Sequence, residues 1–168
     1  VYKHGVKDIA AGAGYAASFL AKVADDQAGS SCHVHLSLSR DSRCALSDGD
    51  GGLGAFGRSF LAGLIAYTPE LMLLHAPYAN SYRRFVEGST APANLTWGHD
   101  NRTALVRVIR SSSGIRLEFR VPGADGKIFA FHLCASCARN ARERAGGQIL
   151  HGQAAIAGEV TVDPRYER

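Results

Sequence analysis

Apolar positions along this chain recur with two different periods, and the changes of period mark out its elements. From Cys32 to Leu38 they alternate: Cys32, Val34, Leu36 and Leu38 fall on one face of a strand, while His33, His35 and Ser37 fall on the other. Leu95 to Gly98, Ala104 to Arg110 and Ile115 to Val121 alternate in the same way, and the polar turns around Asn101 and Ser112 predict an antiparallel meander. Phe56, Phe60, Leu64 and Ile65 instead recur at helical spacing, which predicts a helix over Ala55 to Tyr67, with Pro69 opening another short one. Val6 to Ala11 reads as the end of a helix closed by Gly12 and Gly14. Ala16 to Val23 reads as extended, hairpinned across the turn Asp25 to Gly29 onto the Cys32 strand. Ser39 to Gly54 and Gly88 to Pro92 read as loops, with the polar, basic segment Asn80 to Val86 ahead of the second. Ile128 to Arg144 is rich in Ala and Arg and favours helix, whereas Gly146 to Arg168 shows little period.

Strands followed and interrupted by helices give an α+β class, and 168 residues with 46% hydrophobic content suffice for one ordinary core. No apolar run reaches the ~20 residues of a membrane span. Nineteen Lys and Arg against fifteen Asp and Glu leave a formal net charge of +4, too mild to suggest nucleic acid as a partner. Four cysteines with no second C-x-x-C to join Cys134 and Cys137 argue against structural zinc and a disulfide framework, and fit a reducing cytoplasm. Val1 opens the chain without an initiator methionine or a secretory pattern, so an internal start is expected.

The chemistry sits on the polar faces of two strands. His33 and His35, two residues apart on one face, can point into one cavity, where a neutral imidazole ligates a divalent metal or a protonated one meets phosphate. Opposite Ile115, Leu117, Phe119 and Val121 lie Arg116, Glu118 and Arg120; a carboxylate between guanidiniums stays ionised and serves a hard metal, while the arginines hold anionic oxygens. The ordinary alternative for either face is a solvated strand with cross-strand ion pairs. Arg102, Arg107, Arg83 and Arg84 supply further cations, and such a set suits phosphoryl transfer with Mg²⁺ or Mn²⁺.

Four blocks then occur in a familiar order: Gly29-Ser-Ser-Cys-His-Val-His-Leu-Ser37, Asn80-Ser-Tyr-Arg-Arg84, Asp100-Asn-Arg-Thr103 and Arg116-Leu-Glu-Phe-Arg-Val-Pro122. Their order and spacing resemble the glutamine synthetase family. The resemblance runs from about Lys3 to Gly126 and implies an incomplete catalytic barrel of antiparallel strands packed with helices, with residues 1–126 as the C-terminal part of the catalytic domain and 127–168 as a divergent tail. It implies that His33 and Glu118 are metal ligands; that His35, Ser37, Arg102, Arg107 and Arg116 contact ATP; that Gly29, Arg84 and Arg120 bind glutamate; and that Arg102 and Arg120 serve catalysis. The implied reaction phosphorylates the glutamate γ-carboxylate with ATP, after which ammonia or a small amine displaces phosphate. The family's other metal-binding glutamates and its N-terminal domain would lie upstream of Val1, and its active sites form between subunits of a ring, here expected to be a dodecamer. The segment alone is therefore expected to be inactive, and with unpaired barrel edges, prone to aggregate.

Two departures matter. Ammonia-using members carry a glutamate where this chain has Thr90, and Gly88-Ser-Thr-Ala-Pro92 with Trp97-Gly98 is similar to the γ-glutamyl-polyamine and γ-glutamyl-amine branch. After Gly126 the family's Asn-Pro-Tyr and apolar helix are replaced by Lys127-Ile-Phe129 and an Arg-rich tail, as a shifted reading frame would produce. Two other readings compete: a cupin-like mononuclear metalloprotein, which leaves the arginines without a role, and a non-catalytic member of the ligase fold.

Overall fold

The computed structural model describes residues 2–112 and 114–125 and the backbone of strand 157–159. The predicted Ile128 helix, the tail 127–168 as a unit and Cys134 and Cys137 lie outside the described residues.

The chain opens with α1 (Tyr2–Gly12), which buries none of its residues, and then runs without regular structure to β1 (Val34–Ser37). A tight hairpin follows, β2 (Ser39–Arg40) and β3 (Arg43–Cys44), inside the predicted loop. Its two turn residues, Asp41 and Ser42, both take positive φ, the requirement of a two-residue turn matched to strand twist. Helix α2 (Ala55–Tyr67) has the predicted bounds, and Thr68 ends it by donating its hydroxyl to the Leu64 carbonyl at 2.5 Å. A 3-10 turn at Pro69–Leu71 leads into α3 (Met72–His75), and α4 (Ala79–Tyr82) forms where the sequence suggested only a polar segment. The strands β4 (Trp97–His99), β5 (Val106–Ser111) and β6 (Gly114–Phe119) complete the described sheet with β7 (Ala157–Glu159).

The five strands lie in the order β4-β5-β6-β1-β7. The β5–β6 hairpin and the β1–β6 and β1–β7 pairs are antiparallel, but β4 runs parallel to β5, with Trp97 opposite Val106, so the expected all-antiparallel meander is corrected to a mixed sheet. The cause lies in the 100–105 loop. Asp100 takes a φ of 53°, and the Asn101 side chain accepts from the Thr103 amide at 2.9 Å and its hydroxyl at 2.8 Å, which coils the chain so that it re-enters the sheet in its original direction. Among the described residues the sheet is open and does not close into a barrel.

The predicted hairpin between Ala16–Val23 and β1 is also absent. Only Ser30 bonds back, to the Ala21 carbonyl at 2.8 Å. The Lys22 backbone is satisfied by a side chain: its amide donates to Asn80 Oδ1 at 3.0 Å, and Asn80 Nδ2 donates to its carbonyl at 2.7 Å. An amide side chain thus substitutes for a partner strand, with the same donor and acceptor count.

Val34, Leu36, Val106, Val108, Ile115, Leu117 and Phe119 form the apolar face of the sheet and pack with Phe60, Leu61 and Leu64 of α2. Gly57 lets α2 lie close against the loop after β3, since a Cβ there would collide with the Leu46 carbonyl. The alternation read from the sequence therefore holds on β1, β5 and β6, and it leaves the polar residues of all three strands on the opposite face.

Candidate active site

Register aligns the polar face. His35 lies opposite Glu118, and Glu118 lies opposite Arg107, so three strands place a histidine, a carboxylate and a guanidinium in one row. Glu118 is the hub. Its Oε1 is 3.0 Å from His33 Nδ1, 3.1 Å from Arg120 Nη1 and 3.9 Å from His35 Nε2, and its Oε2 is 3.3 Å from Arg107 Nη1. Arg107 is held in turn by Asp100, to which its Nε donates at 2.9 Å.

The electrostatics follow from that geometry. Burial alone would raise the Glu118 pKa, but the hydrogen bond with His33 and the charges of Arg120 and Arg107 outweigh it and hold the carboxyl at about 2. Burial lowers His33 and His35 from the usual imidazole value, more than the neighbouring carboxylate raises them, so both rings are neutral at pH 7. A neutral imidazole beside an ionised carboxylate is a donor pair for a hard divalent cation. The 3.0 Å between His33 Nδ1 and Glu118 Oε1 is a hydrogen bond in this structure, and a divalent cation held by the pair would take the place of its proton. Among the described residues no group of three or more metal-ligating side chains converges. Two ligands leave a cation with most of its shell to be filled from elsewhere, and a cupin-type site of two histidines and a glutamate is not assembled.

Beside this cluster opens a cavity of about 360 Å³. His33, Arg84 and Arg120 reach it from the sheet side, Gly29 and Ser31 form one wall, and Ser89, Thr90 and Ala91 another. Arg84 and Arg120 are 4% and 5% exposed, so they form its floor. Arg120 spans the site: Nη1 faces Glu118 and His33, and Nη2 donates to the Thr90 carbonyl at 3.1 Å. Arg84 is anchored from behind by the carbonyls of Arg120 and Val121 and lies over the Phe85 ring at 4.8 Å. Burial pushes its pKa down to about 10, which still leaves it charged at neutral pH. Gly29 has no room for a side chain, since a Cβ would stand 2.6 Å from Arg84 Cγ and 2.9 Å from the Ala21 carbonyl oxygen.

The structure thus brings together His33, His35, Glu118, Arg107, Arg120, Arg84 and Gly29. Ser37 and Arg116 share the polar face but are exposed, and Arg102 lies exposed in the 100–105 loop with no described contact to the cluster. Sequence reasoning gave no role to Asp100, which orients Arg107, or to Asn80 and Asp25, which hold the cavity wall; Arg83 Nη2 meets Asp25 at 2.5 Å. No periodicity could signal these, because each acts across a loop.

Comparison with known proteins decides the family. The family model described as glutamine synthetase, catalytic domain, matches residues 1–138. The chain belongs to the glutamine synthetase family. It is 48% identical over 126 residues to gamma-glutamylethanolamide synthetase of Streptomyces coelicolor, covering 74% of this chain and 27% of that protein. It is 43% identical to glutamate–isopropylamine ligase of a Pseudomonas species, covering 73% and 28%, and 40% identical to gamma-glutamylputrescine synthetase of Escherichia coli, covering 65% and 24%. The chain thus spans about a quarter of the length of these curated relatives. The cryo-EM structure of Plasmodium falciparum glutamine synthetase shares the fold, with a TM-score of 0.77 at 20% identity over 84% of this chain and 29% of that one. Membership in this family removes the cupin reading, and no described helix is long and apolar enough to cross a membrane.

Proposed function

We propose that the protein carrying this segment is an ATP-dependent ligase that joins the γ-carboxylate of glutamate to an amine through γ-glutamyl phosphate. The observation that carries the reading is Arg120, which reaches Glu118 and His33 with one nitrogen and the cavity wall at Thr90 with the other. One side chain thereby joins a cation-and-phosphate face to a carboxylate-sized cavity.

Glutamate enters the cavity over Arg84 and Arg120, with Gly29 leaving space for close approach. Arg120 holds the γ-carboxylate toward the polar face, where an oxygen attacks the terminal phosphorus of ATP and ADP leaves. Arg107 and Arg120 carry fixed positive charge in a partly dry site, where they stabilise negative charge on the transferring group better than water does. His35, Ser37, Arg102 and Arg116 are assigned to the nucleotide, with Arg102 on the exposed 100–105 loop. His33 and Glu118 would hold a divalent cation, which supplies further neutralisation of the phosphates. The uncharged amine then attacks the acyl carbon, the C–N bond forms as the C–O bond to phosphate breaks, and the departing phosphate takes the proton the amine loses. With Thr90 in place of a carboxylate, the wall is built for an organic amine that arrives uncharged rather than for ammonium; the amide-forming relatives named above support the same choice.

The remaining ligands, the closure of the open sheet into a barrel and a ring of subunits are assigned to the parent protein, with residues 1–126 as the C-terminal part of the catalytic domain and 127–168 as its tail. Two features support a larger body: β4 ends the described sheet as an unpaired edge, and Ile9, Tyr15 and Val23 are 77%, 75% and 61% exposed. The test is ATP-dependent phosphate release by the full-length protein with Mg²⁺ and glutamate, comparing ammonium with ethanolamine, isopropylamine and putrescine. Release with an organic amine and little with ammonium is expected. Preference for ammonium would reject the role given to Thr90, and no release with any of the four would reject the ligase reading.

A further inference from the structure

We propose that Asp125 is a positioning residue that works with Ser81 to hold Arg84 charged and in place on the cavity floor. Arg84 needs such a partner. Its described acceptors are the neutral carbonyls of Arg120 and Val121, its Nε has no hydrogen-bond partner, and the neighbouring cation Arg120 repels it. A buried guanidinium without a counter-charge is costly, and the like charge beside it adds to the cost.

Asp125 is the carboxylate that opposes this. It is 9% exposed, and it lies where its field favours the charged form of Arg84, acting without a direct ion pair. Its Oδ2 accepts the Ser81 hydroxyl at 2.7 Å, while its Oδ1 is buried with no described partner. Ser81 belongs to the turn that carries the arginine, since the Arg84 amide donates to the Ser81 carbonyl at 3.4 Å. The loop bearing the carboxylate is fixed as well: Gly123 donates to the His75 carbonyl at 3.0 Å and Ala124 to the Ser30 carbonyl at 3.2 Å. A Cβ at Gly123 would crowd Asp125 Oδ1, so a side chain there would displace the carboxylate. The carboxylate therefore ties the end of β6, which leads into Arg120, to α4, which leads into Arg84. It sets the separation of the two floor residues and favours the charge on Arg84, without touching the ligand.

The proposal rests on the glutamate-binding reading, and two measurements on the full-length protein separate them. Asp125→Asn keeps an acceptor for Ser81 and removes the charge; it should raise the KM for glutamate about tenfold while the KM for ATP changes less than about twofold. Ser81→Ala should shift the glutamate KM in the same direction by less. Equal loss in both KM values, or none, would reduce Asp125 to a packing residue and overturn the proposal. The second measurement needs no activity: the melting-temperature losses of Asp125→Asn and Arg84→Met should fail to add in the double variant, and additive losses would overturn the proposal by themselves. A wild-type protein that releases no phosphate removes the ligase reading, and the additivity result then decides Asp125 alone.

Discussion

His75 is a built-in acid sensitivity on the core side of the sheet. It is 3% exposed, meets the Phe119 ring edge-on at 5.1 Å between centroids, and its Nε2 is buried without a described partner. Burial pushes its pKa from the usual 6.5 down to about 4. The folded state thus disfavours the protonated ring, so the contribution is fully present above pH 6.5 and is lost as pH falls toward 4. The full span of about 2.5 pKa units corresponds to about 3.4 kcal/mol, of which about 2 kcal/mol is already gone at pH 5. Replacement by Phe removes the titration and keeps a ring against Phe119; Leu serves if the larger ring does not fit. Hydrogen exchange read on β6 peptides gives the local opening free energy of the full-length protein between pH 7.5 and 4.5. The wild type should fall relative to the variant by about 2 kcal/mol at pH 5. Parallel profiles would show that the imidazole protonates in the fold without penalty, and the burial argument would fail.

Three further outcomes test the site. Gly29→Ala places a methyl group against Arg84 and the Ala21 carbonyl, so it should destabilise by about 1–3 kcal/mol and raise the KM for glutamate; unchanged melting and kinetics would refute the tight contact. Glu118→Gln removes the only carboxylate among the described residues that contacts His33 and Arg120, and Mn²⁺ titration followed by electron paramagnetic resonance should show at least about tenfold weaker binding. Thr90→Glu should raise the ratio of phosphate release with ammonium to that with ethanolamine, because a carboxylate beside Arg120 can hold ammonium and take its proton; an unchanged ratio would place amine choice elsewhere.

What the sequence made legible was whatever follows from period. The faces of β1, β5 and β6 and the bounds of α2 come from alternation and helical spacing, and with the faces came His33, His35, Arg107, Glu118 and Arg120. What period cannot carry is pairing. The segment before β1 reads as a strand in the sequence, but it pairs with none: the Lys22 backbone bonds to the Asn80 side chain, and the Ala21 carbonyl accepts from Ser30. The direction of β4 is set by one positive φ at Asp100 and one side-chain cap at Asn101, neither of which alters the hydrophobic pattern. The β2–β3 hairpin was masked by polar composition, since Asp41 and Ser42 read as loop residues until both φ values are known.

The four-residue helix α4 and the arginines after it reach outward in nearly every direction. Asn80 holds the Lys22 backbone, Ser81 holds Asp125, Arg83 holds Asp25, and Arg84 lies under Gly29 and against the Val121 carbonyl. Each contact taken singly is replaceable, and substitutions there should have graded effects. A change of length is another matter: deleting one residue turns everything beyond it by about 100° around the helix axis. The residues past the deletion would then lose their partners together, so this stretch tolerates altered spelling far better than altered spacing. The glycine-rich turn at 49–52, whose glycines 49 and 51 have open space around them, is where an added residue or a fused tag belongs.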